Sequence, residues 1–241
     1  MSGLDILVVA AHPDDAELFT GGLILSARAA GLSVGIIDLT RGEMGTRGSA
    51  EERSAESAAA TALMDLQHRQ NLDLGDAGLV ANLTNRNRLA CELARLKPRV
   101  VIGHPEGDAH PDHAAASQLM RDAWYVAGLQ KLIEKLEPGL TAHRPSRLFH
   151  FSSGSPCASL PSLVVDIGDV FQAKQDLLRC YASQLNQNGS SDAGEHFMLG
   201  ADILARSEIN ALYWGSQIGV PFGEPLYHRG PLPADVIGLL R

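Results

Sequence analysis

The chain has 241 residues, 45% of them hydrophobic and 20% charged, so it can bury a sizeable core, and one domain spanning residues 1–241 is the simplest organisation. Its net charge of −8 argues against a general phosphate-binding surface, which makes nucleic acid an unsuitable partner. No stretch approaches the ~18 apolar residues of a membrane span, and the amino terminus has no basic signal-peptide segment, so we expect no membrane association.

The cysteine content bears on the compartment. Cys91, Cys157 and Cys180 are an odd number of thiols without close spacing, so they cannot form a fully paired set of disulfides. Unpaired thiols are typical of a reducing environment, and we therefore expect a cytoplasmic protein.

Apolar runs and helical patterns alternate along the chain. The short β-branched runs are typical of buried parallel strands, and the segments with 3.6-residue spacing predict helices. The predicted strands are Leu4–Ala11, Val34–Leu39, Gln67–Leu74, Val100–Gly103, Leu148–Phe151 and Leu163–Ile167. The predicted helices are residues 18–30, Ala50–Met64, Asn82–Leu96, Pro111–Ala127, Val170–Tyr181 and Leu199–Leu212.

The remaining segments are predicted to be irregular. Residues 40–49 form a glycine-rich loop, Gln130–Glu137 is a charged segment, Gln184–Glu195 is a polar loop, and Pro221–Pro233 is an extended tail. The alternation of strands and helices predicts an α/β fold: a Rossmann-like, doubly wound, mostly parallel sheet with helices on both faces. In the common order of such sheets the first and fourth strands are neighbours, and ligands bind beyond their carboxyl ends.

Two short motifs follow those two strands. Ala11–Glu17 reads Ala-His-Pro-Asp-Asp-Ala-Glu, and His110–His113 reads His-Pro-Asp-His. A lone His-Pro or Asp-Asp pair is more often a capped turn, but two clusters at adjacent strand ends indicate one metal site. Two histidines with one carboxylate are a common catalytic set, so we predict His12, Asp15 and His113 as ligands. Zinc is favoured because it activates water and polarises a carbonyl, although iron(II) accepts the same ligands.

The other motif residues suggest hydrolysis. Asp14 is free to act as general base, His110 can donate to an oxyanion or protonate a leaving amine, and Asp112 can hold the His110 imidazole. The helix dipole explains Glu17 as well as a supporting role at the metal site does. His104 is explained as the residue that ends a strand. His196, beside the polar loop, could reach a substrate but is outside this core set.

Arginines near the glycine-rich loop point to an anionic substrate. Arg47 and Arg53, with Arg41, flank this loop on the same sheet edge as the motifs, and arginine binds carboxylate or phosphate well. The glycines of this loop do not form a phosphate-binding fingerprint, and no Gly-x-Gly-x-x-Gly follows the first strand, which excludes a nucleotide-dependent dehydrogenase.

The two motifs together resemble those of the LmbE/PIG-L family of metal-dependent N-acetylglucosamine deacetylases. Further similarity to its bacillithiol-biosynthesis branch, which deacetylates N-acetylglucosaminyl-malate, lies in Asp38-Leu39-Thr40 with the following loop, Arg53-x-x-Glu56, Asp76-x-Gly78 and Tyr181-x-Ser183-Gln184.

The resemblance implies roles for individual residues. It implies zinc on His12, Asp15 and His113. It also implies that Asp14 is the base, His110 the electrophile or acid, and Asp112 the orienting carboxylate. Arg53 would contact substrate, and the chain would form homo-oligomers, often hexamers. Relatives in the bacillithiol branch often carry an arginine where this chain has Ala109, so the substrate is implied less firmly than the reaction.

We therefore expect zinc-dependent release of acetate from an N-acetylglucosaminide, in the first instance N-acetylglucosaminyl-malate, with the arginines holding its malate carboxylate. The alternatives are another N-acetylated sugar, either a chitooligosaccharide or the inositol-linked precursor of mycothiol, and a carbohydrate-binding protein that has lost turnover.

Overall fold

The computed structural model describes residues 3–45, 47–153, 160–185 and 203–232. Cys157, His196, most of the predicted polar loop and the start of the last predicted helix lie outside these ranges. Cys91 and Cys180 are free thiols. None of the described helices is long and apolar enough to cross a membrane.

Within the described residues, seven strands form one sheet. They are β1 (Ile6–Ala10), β2 (Val34–Asp38), β3 (His68–Asn71), β4 (Val100–Gly103), β5 (Arg147–Phe151), β6 (Leu163–Asp166) and β7 (Gly223–His228). Their order across the sheet is β3-β2-β1-β4-β5-β7-β6. Strands β1 to β5 are parallel, and β7 is antiparallel to both of its neighbours.

Helices cover both faces of this sheet. They are α1 (Asp15–Ala29), α2 (Ala50–Leu63), α3 (Leu83–Leu96), α4 (Pro111–Ala127), α5 (Gln130–Leu136), α6 (Phe171–Arg179) and α7 (Ile203–Ile218). Alternate residues of a strand point to opposite faces, so Leu7 packs in a core with α3, α4 and α5, whereas Val8 packs with α1, α2 and α6. The predicted Rossmann-like α/β fold is confirmed.

The pairing of β1 with β4 brings the two sequence motifs to one edge. The register pairs Ile6 with Val100 and Val9 with Gly103, so the two strands end level with each other. A Cβ added at Gly103 would lie 2.3 Å from the Met120 sulfur of α4 and 3.0 Å from the Val9 carbonyl oxygen, so α4 packs closely on β4 at this glycine. The segments after both strands therefore leave the sheet side by side.

Two segments differ from the sequence prediction. The charged segment is the short helix α5, which buries only Ile133 and so has little apolar signal. The extended tail contains β7, which lies between β5 and β6. Its Gly-Glu-Pro start argues against a central strand, because proline cannot donate to a ladder. The position of β7 is set instead by its neighbours, with Pro225 opposite Val164 in the register.

A buried ion pair joins β7 to two helices. Lys174 of α6 donates from Nζ to Glu224 Oε1 of β7 at 2.7 Å, and each side chain is only 4% exposed. The same carboxylate accepts the backbone N–H groups of Gly22 and Leu23 in α1 at 2.9 and 2.7 Å. Glu224 thus holds together the three elements that enclose one side of the site described below.

Replacing Glu224 by Gln should destabilise the fold strongly. The variant leaves the Lys174 ammonium buried without a counter-charge, which costs about 3–5 kcal/mol. Urea unfolding measures the loss. The matched control is Glu137→Gln, which breaks the exposed pair with Arg95 and should cost less than about 1 kcal/mol. Equal losses in the two variants would contradict the assigned role of Glu224.

Candidate metal centre and cavity

The turn between β1 and α1 has a strained backbone at Asp14. This residue is the N-cap of α1 with φ 133°, a region that non-glycine residues rarely occupy. Such strain costs of order 1–3 kcal/mol and persists only where surrounding contacts hold it. Arg53 supplies such contacts, because its guanidinium donates to the Pro13 carbonyl and pairs with Asp14 Oδ2 at 2.9 Å.

His12, Asp15 and His113 form a compact group of potential metal ligands. One ligand atom from each lies within 4.8 Å of the others. His12 Nδ1 is 3.4 Å from Asp15 Oδ2, and His113 Nε2 is 3.4 Å from Asp15 Oδ1. Asp15 and His113 are buried, and Asp15 also accepts the His12 backbone N–H at 2.8 Å.

Further carboxylates hold the other nitrogen of each imidazole. His113 Nδ1 lies 3.1 Å from Asp108 Oδ2, which leaves Nε2 facing Asp15. His12 Nε2 lies 3.1 Å from Asp76 Oδ1 and 3.3 Å from Asp112 Oδ2, which leaves Nδ1 facing Asp15. Carboxylates commonly fix the tautomer and ring orientation of metal-ligating histidines in this way. The donor set therefore fits a metal ion with two imidazoles and one carboxylate.

The charges within the group shift the pKa of its members. Burial alone would raise the pKa of Asp15, but His113 and His104 hold it well below its usual range. Burial likewise opposes protonation of His113, yet Asp15 and Asp108 raise its pKa to about 9. In both groups the neighbouring side chains outweigh the effect of burial on the pKa. The carboxylates of the pocket therefore favour a positive charge there.

His104, Asp76 and Asp108 belong to the site although neither of the two motifs contains them. His104 is 1% exposed, accepts the Ala11 backbone N–H at Nε2, and lies 3.3 Å from Asp15. Its burial lowers its pKa to about 4, so it is neutral at pH 7. It also forms a second ligand group with Asp108 and His113. The sequence feature that points to His104 as a site residue is its position directly after the fourth strand.

His110 and Asp112 lie at the start of α4. His110 is the N-cap, and its Nδ1 accepts the Asp112 backbone N–H at 3.2 Å. The ring proton of the neutral imidazole is therefore on Nε2. Burial and the nearby His113 and His12 lower the pKa of His110, which favours this neutral form.

The Asp112 carboxylate accepts the backbone N–H groups of Ala77 and Leu79 and approaches His12. The sequence motif predicts that Asp112 holds the His110 ring. Among the described contacts it instead supports His12 and the loop after β3. His12, His110 and Asp112 still offer ligand atoms within 4.8 Å of one another.

Asp14 faces the cavity beside this group. Its side chain is 27% exposed, and burial raises its pKa to about 7 against the opposing charge of Arg53. A carboxyl group with this pKa can accept and return a proton near neutral pH. Arg53, which the sequence predicts to contact substrate, lines the cavity and forms an ion pair with Asp14. The loop passes close to this side chain, because a Cβ added at Gly42 would lie 2.9 Å from the Arg53 guanidinium carbon.

The cavity has a volume of about 560 Å³, within the roughly 300–1,000 Å³ typical of small-molecule sites. His12, Asp14, Asp15, His110 and His113 form one end of its lining. Arg47 is not among the described lining residues. Its backbone carbonyl accepts from Gln184 Nε2 at 2.9 Å, and its predicted contact with substrate stays a prediction.

A buried network lies behind the strained turn. Arg69 of β3 donates to Glu17 at 2.5 Å and to Asp38 at 2.8 Å, and the Tyr181 hydroxyl donates to Glu17 at 2.7 Å. Burial raises the pKa of Asp38 to about 6 even with Arg69 beside it. Glu17 is thus more than a helix-dipole residue: it ties the first turn of α1 to β3 and to the end of α6.

Comparison with known proteins points to one family. The model of the PIG-L family, described as GlcNAc-PI de-N-acetylase, matches residues 7–124, a range that contains both motifs. The conserved protein TT1542 from Thermus thermophilus has the same fold with a TM-score of 0.84. It is 39% identical over 97% of this chain and 98% of its own.

Two curated relatives have named activities. Diacetylchitobiose deacetylase of Thermococcus kodakarensis is 27% identical over 76% of this chain and 71% of its own length. The 1D-myo-inositol 2-acetamido-2-deoxy-alpha-D-glucopyranoside deacetylase of Corynebacterium glutamicum is 28% identical over 77% of this chain and 76% of its own length.

The contact between Asp108 and His113 should strengthen metal binding. Asp108→Asn should weaken zinc binding roughly 10- to 100-fold, because the His113 ring loses the carboxylate that fixes its orientation. A competitive zinc titration measures the change. Asp122→Asn, on the exposed side of α4, is the control and should leave zinc affinity unchanged. An Asp108 variant that binds zinc like the control would show that this contact does not orient a ligand.

Proposed function

Because the chain belongs to the PIG-L family, we propose that it is a metal-dependent deacetylase that hydrolyses the acetamide of an N-acetylglucosaminide and releases acetate and the free amine. One observation carries the proposal. The group of His12, Asp15 and His113 opens into a cavity beside Asp14, whose carboxyl group is placed to act as a general base.

The residues of the site have separate roles in this hydrolysis. His12, Asp15 and His113 would hold zinc or iron(II), which when bound lowers the pKa of a water ligand and polarises a carbonyl. Asp14 accepts a proton from the attacking water and returns it to the leaving amine. Arg53 keeps the Asp14 carboxylate in place through the 2.9 Å ion pair.

His110 has the geometry of an oxyanion donor. Its Nδ1 already accepts a backbone N–H, so the proton on Nε2 is available to the acetamide oxygen as negative charge develops there. This arrangement favours hydrogen-bond donation by the neutral ring over transfer of a proton from an imidazolium, the alternative that the sequence left open.

The substrate we propose is N-acetylglucosaminyl-malate, on the strength of the motifs shared with the bacillithiol branch. The two curated relatives favour different aglycones, a second sugar and an inositol. A cytoplasmic location and a homo-oligomeric state, a hexamer included, belong to the same proposal. The complete set of acid, base and ligand residues supports an enzyme over an inactive carbohydrate-binding protein.

Elemental analysis and an acetate assay test the proposal. The purified protein is expected to hold one metal ion per chain and to release one acetate per free amine. The assay compares N-acetylglucosaminyl-malate, diacetylchitobiose, the inositol-linked N-acetylglucosaminide and plain N-acetylglucosamine, and the first should have the highest kcat/KM. A protein that releases no acetate from any of them after addition of zinc or iron(II) would overturn the proposal.

The adjacent carboxylates Asp14 and Asp15 should respond differently to the same change. Asp15→Asn removes a charged ligand and should lower metal affinity more than the Asp108 variant does. Asp14→Asn should keep the metal and reduce kcat roughly 10²- to 10⁴-fold, the contribution of a positioned base. Metal content and acetate release are measured on both variants, with Asp122→Asn as the control. The reverse pattern would mean that the two roles are exchanged.

A further inference from the structure

One cavity connects the metal group to α7. Its lining continues from His12, Asp15 and His113 to Lys174 of α6, to Glu224 of β7 and to α7. Strand β7 is separated from β4 by β5, which places β7 about 10 Å from β4 at ~4.8 Å per strand spacing, and α7 follows the lining beyond β4 on the β7 side. A substrate whose acetamide lies at the metal group therefore reaches α7 with a part other than the acetamide.

The cavity face of α7 is a single stripe. The lining residues Ile203, Arg206, Ser207, Asn210, Ala211 and Trp214 follow the spacing of one helix face. Ala211 is buried and Trp214 half-buried, whereas Arg206 and Asn210 are exposed. The stripe therefore presents a guanidinium and an amide, one helical turn apart, on an apolar base.

Arg206 differs from the other cations of the cavity in having no counter-charge among the residues that the structure describes. Arg53 is paired with Asp14 at 2.9 Å, and Lys174 with Glu224 at 2.7 Å. Among the described residues, Arg206 lines the same cavity without an ion pair. The metal end carries Asp14, Asp15 and Asp76, so the cavity is acidic at one end and has an uncommitted cation at the other.

Ser207, next to Arg206, is a second sign of a ligand. It is 5% exposed, it lines the cavity, and its Oγ has no hydrogen-bond partner in the described part of the chain. Buried hydroxyl groups normally have a partner. A ligand bound at Arg206 and Asn210, the neighbours of Ser207 on the stripe, is a candidate partner for this hydroxyl group.

We infer that the α7 end of the cavity is an aglycone subsite that binds an anionic group, in the first instance a carboxylate, with Arg206 as the specificity-determining residue and with Asn210 and Ser207 as hydrogen-bonding partners. The inference rests on the proposed deacetylase function and deepens it. It also gives the chain a cation, Arg206 of α7, that can bind the acidic group of the substrate where position 109 has alanine and not arginine.

The test compares selectivity in matched variants. The measured quantity is the ratio of kcat/KM for N-acetylglucosaminyl-malate to that for methyl N-acetylglucosaminide. Arg206→Gln should lower this ratio roughly 10- to 100-fold, as expected for loss of a charge-assisted hydrogen bond, mainly through KM. Arg206→Lys should restore part of it. Arg88→Gln, which removes an exposed arginine of α3 outside the cavity, should leave the ratio unchanged.

Two outcomes would overturn the subsite: an unchanged ratio in Arg206→Gln, which includes a loss of the same size on both substrates, or an equal change of the ratio in Arg88→Gln. N-acetylglucosamine 1-phosphate serves as a further substrate. A larger effect of Arg206→Gln with this phosphate than with the malate would retain the subsite and reassign its anion.

Calorimetry with glucosaminyl-malate, the amine product, separates this inference from the proposed function. A protein that releases no acetate but binds this product through Arg206 would keep the subsite and lose the deacetylase. A deacetylase whose product affinity does not depend on Arg206 would keep the function and lose the subsite.

Discussion

The parallel, in-register pairing of β1 with β4 is the constraint on which the site depends. His12 and His113 are 101 residues apart in the sequence, and they meet because these two strands end level at the centre of the sheet. Helix α4, which begins at Pro111, packs closely on β4 where Met120 approaches Gly103. The entropy of bringing the two motifs together is therefore offset by the folding of the core, so the ligand group is preorganised.

The second condition is electrostatic. Buried carboxylates and imidazoles are costly unless they are paired, and here nearly every member has a defined partner. Asp108 and Asp76 hold the outward nitrogens of His113 and His12, so that the inward nitrogens converge on Asp15. Asp14 is paired with Arg53 but differs from the other members in its strained backbone and in a pKa raised by burial. The stability lost there is consistent with a residue kept reactive for proton transfer.

The sequence predicted the parts of the molecule that depend on local pattern. The buried strands, most helices and the adjacency of β1 and β4 follow from apolar periodicity and from the common order of doubly wound sheets. The two motifs led to the ligand group because their residue types are rare together. The family resemblance, confirmed by comparison, led to the reaction class.

The parts that the sequence did not predict depend on tertiary contacts. Strand β7 has no strand-like pattern around Pro225, and its position is set by β5 and β6. Asp76 and Asp108 lie in loops whose approach to the histidines cannot be read from spacing.

A metal ion bound by His12, Asp15 and His113 is the feature on which the proposed chemistry depends. The most direct test is anomalous diffraction at the zinc absorption edge from crystals grown with zinc. We expect one peak between His12 Nδ1, Asp15 and His113 Nε2, on the cavity side. A peak between His104, Asp108 and His113, or no peak at either group, would contradict this assignment.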